Sequence, residues 1–356
     1  MPQRKLDDYI EAHLTFTDNT ESPKNYHLWA ALSCIAGAMQ RKVYMKWGHT
    51  IIYPNMYVVL VGPSGVRKAE PLIVARSLLK AINTNLISDS ITREALIRSM
   101  HGAVAQYMDE DSVIRFQCPV TGVFEELAVF LGDSNPKFLA DMTQWYDSRE
   151  SWTYETKHEG TDEVMGVCVN ILASTAPDWI PLIIPYSAVG GGFTSRLMFI
   201  VEWEKGATIS NPNELGIDQT LQDALVHDLE MIRDMRGAFT FDTAALEVYE
   251  EWYINQENST RAGNPPIKDP RFSGYCSRRA THIKKIAMVS SASRSASFII
   301  TPADFERALH LMETAEQGMP AVFSSVGMSQ YSIQTDAVMS FIKARGTVSK
   351  AELMKL

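Results

Sequence analysis

The sequence predicts an α/β fold built on a parallel sheet, followed by a helical second half. Three observations predict it. Apolar β-forming runs alternate with helical ones through the first 210 residues, the order that produces parallel strands. One run, "MYVVLVG", ends in a glycine-rich turn and leads directly into an amphipathic helical stretch. From Asn211 onward the β signal fades and apolar residues recur at three- and four-residue spacing. The expected divisions are a helical segment over 1–50, the α/β core over 51–210, a helical lid over 211–330, and the start of a winged-helix-like end over 331–356.

The elements follow in order. "KLDDYIEAHLTF" and "NYHLWAALSCIAGAMQ" have helical spacing and are separated by the turn-rich "TDNTESPK". "VYMKW", "TIIY" and "MYVVLVG" are β-rich. "EPLIVARSLLKAI" is a helix that tolerates Pro71 in its first turn, where no intrahelical N–H is needed. "TREALIRSM" is a helix with Thr92 as its N-cap. "CPVTGVFEEL" reads as a short apolar strand ending in two carboxylates, with the helix "PKFLADMTQWYD" after it. The alternation in "SWTYETKHEGTDEVMGVCVNILAST" predicts a hairpin with "KHEGTDE" at its tip and a return strand entering the core. "PDWIPLIIP" is a short helix or turn, and "GGGFTSRLMFIVEW" is a triple-glycine loop feeding a buried strand. Four helices follow, "TLQDALVHDLEMIRDM", "TAALEVYEEWYINQEN", "YCSRRATHIKKIAMVSSA" and "PADFERALHLMETAEQGM", with a short "FIIT" strand and a Thr301 cap before the last. "TDAVMSFIKARGTVSKAELMKL" resembles the opening of a winged helix.

Composition narrows the function classes. The 356 residues are 46% hydrophobic and 21% charged, ordinary values for a soluble globular protein. No apolar run approaches the roughly 18 residues that span a bilayer, and "MPQRKLDDYIEAHL" carries no apolar signal segment, so the expectation is a cytoplasmic protein with no membrane partner. Cys34, Cys118, Cys168 and Cys276 are scattered without a C-x-x-C pair, which suggests buried or free thiols in place of zinc or a disulfide framework. A net charge of −9 excludes a uniformly basic coat for nonspecific nucleic-acid binding but leaves room for a local basic channel. Cations cluster in "CSRRATHIKK" and stand singly at Lys157 and Arg196.

Chemistry concentrates in four motifs. The stretch Gly62, Pro63, Ser64, Gly65, Val66, Arg67, Lys68, Ala69 fits the phosphate-binding pattern G-x-x-x-x-G-K-[ST] at Gly62 and Lys68. Gly62 and Gly65 let backbone N–H groups wrap phosphates, and Lys68 supplies a point charge for the β- and γ-oxygens. Arg67 replaces the second glycine, at little cost if its side chain points outward. Ala69 replaces the hydroxyl that orders Mg²⁺, Glu70 adds a carboxylate nearby, and Ser64 is a candidate to compensate. In "VTGVFEEL", Glu125 is the candidate Mg²⁺ ligand and Glu126 the base that polarises an attacking water. In "VCVNILASTAPDW", Asn170, Ser174 or Thr175 can sense the γ-phosphate or orient that water. Arg196, after the glycine run, either reaches the nucleotide of a neighbouring subunit or pairs with a local carboxylate.

These pieces occur in the order of the additional-strand ATPases, the class that includes superfamily 3 helicases. The chain resembles the AAA+-like, helicase-like ATPases that phages and plasmids encode beside or fused to primases, through "GPSGVRK", "GVFEEL", "WTYETKHEG" and "GGFTSR". The resemblance implies a P-loop ATPase core with ATP and Mg²⁺ as cofactors and translocation on single-stranded DNA. It also implies a homo-oligomeric ring, with a hexamer as the expected form, and a primase or other replication proteins as partners in the host cytoplasm. In superfamily 3 helicases a hairpin before the sensor strand presents a Lys-His pair to DNA in the ring channel; Lys157 and His158 stand at the matching place. On the lid helix, positions 278, 281, 282 and 285 share one face; a solvated basic face is the default there, and one of Arg278 or Arg279 is a candidate γ-phosphate contact. Ala69 and Glu70 point to the alternative, a nucleotide-binding scaffold or loader that does not hydrolyse ATP.

Overall fold

The computed structural model describes residues 3–132, 135–156, 160–184, 191–214 and 216–323. The chain starts with α1 (Tyr9–Phe16), whose N-cap Asp8 accepts from the N–H groups of Ile10 and Glu11, and α2 (Lys24–Met39). α2 is buried on nearly every side, so its apolar residues form no single stripe. β1 (Val43–Trp47) and β2 (Thr50–Ile52) pair as an antiparallel ribbon. Then come β3 (Tyr57–Val61), α3 (Ala69–Ala81), and α4 (Arg93–Gly102), whose cap Thr92 accepts from the Ala95 N–H as expected.

The remainder of the core comprises β4 (Ala105–Met108), β5 (Ile114–Phe124), α5 (Leu127–Leu131), α6 (Pro136–Tyr146), β6 (Ser151–Thr156), β7 (Gly160–Met165), β8 (Val167–Thr175), α7 (Ile180–Ile183) and β9 (Leu197–Val201). Five strands form one sheet in the order β4-β5-β8-β3-β9, with β5, β8, β3 and β9 parallel and β4 antiparallel to β5. Every residue of β3 and β8 is buried, which is why both read as continuous apolar runs with no alternation. β5 begins earlier than "CPVTGVF" suggested, because its exposed first residues pair with β4, an edge strand too polar to have been read as one. Further along β5, Leu86 makes a parallel bridge to Thr121.

The second half supplies α8 (Gln219–Arg233), β10 (Gly237–Ala238), β11 (Thr240–Phe241), α9 (Thr243–Arg261), α10 (Ser273–Arg294), β12 (Ile299–Ile300) and α11 (Pro302–Val322). Its helices pack directly on the first half. α8 packs on α1 and α2, α10 packs on α2 and α11, and α11 lies along β9 so closely that a Cβ on Gly318 would meet the Val201 Cβ at 2.9 Å. β10 pairs with β1, and the buried Asp228 of α8 accepts from the N–H groups of Lys5 and Leu6 at 2.8 and 3.0 Å. Buried side chains from all the expected divisions up to Phe323 join one apolar cluster. Thr301 and Asp304 form a capping box at the start of α11. The four cysteines are buried and free, and among the described residues no helix is long and apolar enough to cross a membrane. The winged-helix-like stretch 331–356 lies outside the described residues.

Three histidines sit inside this cluster as neutral rings. Burial pushes His13 of α1 down to about 3, with His27 nearby adding to it, and burial pushes His27 of α2 down to about 4. His282 of α10 is pushed to about 3 mainly by burial, its ring bonded to the Tyr146 hydroxyl and the Ser195 carbonyl. Among the described residues neither His13 ring nitrogen has a hydrogen-bond partner, so a charge there would be buried without compensation. In the unfolded chain these rings take up protons near pH 6.5, so below that value the unfolded state binds more protons and stability falls with pH. We expect no such loss above pH 6.5, and below it a loss of about 1.4 kcal/mol per pH unit for each histidine until the folded values are reached. Denaturant unfolding between pH 7.5 and 5 measures the slope; His13→Phe should reduce it, and a flat profile would exclude the buried neutral rings.

Candidate functional site

Because β5, β8, β3 and β9 run in one direction, their carboxyl ends open at one edge, where open α/β sheets place ligands. The register aligns Phe124 with Ala173 and Val61 with both Thr175 and Val201. One and two residues beyond Phe124, Glu125 and Glu126 therefore stand level with Ser174 and Thr175. The Ser174 hydroxyl donates to the Glu125 carbonyl at 2.5 Å, and the Thr175 hydroxyl donates to Glu126 Oε1 at 2.7 Å. The Gly62 N–H continues the ladder to the Thr175 carbonyl at 3.3 Å.

The glycine loop connects β3 to α3. A Cβ on Gly62 would meet the Glu202 carbonyl oxygen at 2.5 Å and the Tyr26 hydroxyl at 2.6 Å, so only glycine fits there. Gly65 has φ +94, and Arg67 has φ 62, the left-handed conformation that the standard pattern meets with its second glycine. The Arg67 side chain points outward, half exposed, and donates to Glu21 through Nε at 2.9 Å and Nη2 at 2.7 Å. Glu21 also accepts from Lys205 at 2.7 Å and from the Ile209 N–H at 3.0 Å. The hydrogen bonds from Lys205, Ile209 and Arg67 together hold its carboxyl down to about 2.

The Lys68 ammonium folds back over its own loop, donating to the carbonyls of Gly62 at 2.5 Å and Pro63 at 2.9 Å. Partial burial lowers its pKa, while the charge of Glu126 acts in the opposite direction, so the two side chains share one electrostatic neighbourhood. Ser64, Gly65 and Ala69 are exposed, Val66 is buried beneath them, and among the described residues no side chain caps the amino end of α3. Glu70 does not obstruct the loop: its carboxylate turns to the α1–α2 connection and accepts from the Ser22 N–H at 3.1 Å.

The remaining candidates divide. Glu126 is half-buried, caps α5 through the Ala128 N–H, and faces the loop side; Glu125 is exposed and uses its backbone carbonyl in the contact with Ser174. Asn170 does not reach this edge. It lies midway along β8, buried, with Oδ1 accepting from the Met56 N–H at 2.9 Å and Nδ2 donating to the Ser33 carbonyl at 3.0 Å, so its amide is used by the scaffold. Of the alternatives named with it, both Ser174 and Thr175 stand at this edge, and Thr175 is the one bonded to the Glu126 carboxylate.

Arg196 is buried just before β9, at the amino edge of the parallel strands, and pairs with Asp147 through Nε at 3.2 Å and Nη2 at 2.6 Å. Arg278 also approaches Asp147, at 3.6 Å, while Arg279 is buried in a bidentate pair with Glu316 at 2.6 and 2.9 Å. Neither of these α10 arginines stands at the glycine loop. Lys284 and Lys285 are buried, so the expected solvated basic face is only partly solvated. Lys157 and His158 lie outside the described residues; the hairpin arms β6 and β7 pair up to Thr156 and Gly160.

Sequence reasoning missed Glu21 and Asp147. Each meets its arginine across a gap in sequence of 46 or 49 positions, for which no local spacing exists to read.

Arg67 gives a direct test of loop strain. Arg67→Ala and Arg67→Gly both lose the Glu21 pair, but only glycine occupies φ 62 without a Cβ clash. The glycine variant should be more stable by about 1 kcal/mol in denaturant unfolding. Equal stabilities would mean that residue 67 is not left-handed in solution.

The chain matches no protein-family model and no curated protein, so the functional reading rests on this geometry.

Proposed function

We propose that the chain is a P-loop ATPase of the additional-strand, AAA+-like kind, acting on single-stranded DNA as a ring of its own copies. The observation that carries the reading is the position of β8. It stands between the loop strand β3 and the acidic strand β5, as an additional strand does, and its last hydroxyl, on Thr175, bonds Glu126.

The residues fit a triphosphate. Lys68 would exchange two loop carbonyls for phosphate oxygens, Gly65 holds a turn that exposes backbone N–H groups, and the uncapped end of α3 favours an anion. Magnesium fits less closely. Ala69 offers no oxygen, and among the described residues no group of three His, Cys, Asp or Glu is arranged to hold a metal. The ion would be held chiefly by phosphates and water, with Glu125 as the carboxylate from the protein. When bound it would supply charge neutralisation. Glu126, oriented by Thr175, would orient and polarise the attacking water.

Arg196 lies about five strand residues, on the order of 16 Å, from its own loop. Any contact it makes with a nucleotide is therefore with a neighbour's, and Asp147 must first release it. The DNA role is supported by the anchoring of the hairpin. Trp152 packs edge-on against Trp145 at 5.4 Å and donates to Gln144, and Arg93 lies over Tyr154 at 4.7 Å, so the first arm of the hairpin, β6, is held firmly against α6 and α4. The scaffold reading is favoured by one observation, the missing hydroxyl at Ala69.

ATP binding and turnover with and without a DNA oligonucleotide separate the two. In the motor reading Lys68→Ala loses nucleotide binding. Glu126→Gln keeps binding and loses turnover about 100-fold or more, and Thr175→Val lowers turnover at unchanged affinity. Arg196→Ala is inactive alone and is partly rescued by mixing with Glu126→Gln subunits. Tight ATP binding without turnover, with or without DNA, would leave the scaffold reading standing.

A further inference from the structure

At the amino edge of the parallel strands, remote from the glycine loop, β2, α9 and α10 line a half-open cavity of about 770 Å³. That is the size of a small-molecule site. Its lining is unusual in composition. Arg278, Lys284 and Lys285 contribute three cations from consecutive turns of α10, and the ring-bearing walls include Tyr53, Tyr146 and Tyr253.

The two lysines are the informative pair. Lys284 donates to the Tyr249 hydroxyl at 2.6 Å and the Ala280 carbonyl at 3.0 Å, with its ammonium 4.1 Å from the centre of the Trp47 ring. Lys285 donates twice to Asn55, to the carbonyl and to Oδ1, both at 2.8 Å, and lies 4.2 Å from the centre of the Tyr146 ring. An ammonium has three donors, so each keeps one beyond these contacts. Both side chains are 3% exposed, and among the described residues neither forms an ion pair with a carboxylate. Burial pushes each down to about 7, at the margin of staying charged. Of the two carboxylates on the lining, Asp147 is already engaged by Arg196 and Arg278, and Glu250 leaves the balance positive. A buried ammonium without a counter-charge is costly unless an anion completes it.

We propose that this cavity is a second ligand site, distinct from the glycine loop, for a nucleoside phosphate. Arg278, Lys284 and Lys285 receive the phosphate, and the base lies against the exposed Tyr253 and Ile51 at the mouth. Three cations suit a phosphate dianion better than a lone carboxylate, and the aromatic walls suit a flat heterocycle. The same chemistry is offered by a free nucleotide or by one unit of a nucleic-acid strand.

The test uses the full chain carrying Lys68→Ala, so that the glycine loop does not contribute and failure of either site can be told apart. Isothermal titration with AMP, adenosine, inorganic phosphate and a five-residue oligodeoxyadenylate supplies the arms. AMP should bind one site, at least about tenfold more tightly than adenosine or phosphate. Arg278→Gln and Tyr253→Ala, both at partly exposed positions, should each weaken AMP about tenfold without changing the melting temperature. Oligonucleotide binding that is tighter than AMP and equally sensitive to Arg278→Gln identifies a strand as the source; AMP binding without oligonucleotide binding identifies a free nucleotide. No AMP binding, or AMP binding indifferent to both substitutions, overturns the proposal.

Discussion

The register of β8 between β3 and β5 is the constraint on which the loop edge depends. β8 is buried along its whole length, so a slip of one residue would exchange its two faces and carry Thr175 away from Glu126. Asn170, midway along β8, and Asn55, just before β3, help to hold that register. The Asn170 amide ties β8 to the Met56 N–H and to the Ser33 carbonyl of α2, and Asn55 Nδ2 donates to the carbonyls of Tyr146 and Val169. Buried amides with every group satisfied specify one alignment where apolar packing alone would allow several.

The two edges of the sheet differ in kind. At the carboxyl edge, Lys68 and Glu126 are half-buried and the loop residues around them are exposed, so charge there is open to a ligand from solvent. At the amino edge, Arg196, His282 and Lys285 are buried against Asp147, Tyr146 and Asn55, in surroundings dry enough to hold His282 neutral. α10 is the element that builds this second environment, since its residues 278, 282 and 285 face one way while Arg279 turns to Glu316.

What could be read from the sequence was whatever is periodic or contiguous. The all-buried strands, the glycine turn, the Thr92 and Thr301 caps and the helical face shared by positions 278, 281 and 285 are local patterns, and the structure contains each of them. What could not be read depends on distant partners. Nothing in "TDNTESPK" marks Glu21 as the counter-charge of Arg67, and nothing beside Lys284 and Lys285 shows that α9 and β2 close over them. Asn170 was misplaced for a related reason: a polar residue in an apolar strand signals a role, but only the register shows which end of the strand it serves.

Glu21 carries one more implication. It lies in the connection between α1 and α2, yet its single carboxylate receives Arg67 from the glycine loop together with Lys205 and the Ile209 N–H from the segment after β9. Glu70 of α3 is tied to the same connection through Ser22. The α/β core is therefore not a portable cassette. Excised at residue 51, it would keep a left-handed Arg67 with its counter-ion gone, and the loop and the exit from β9 would lose the anchor they share.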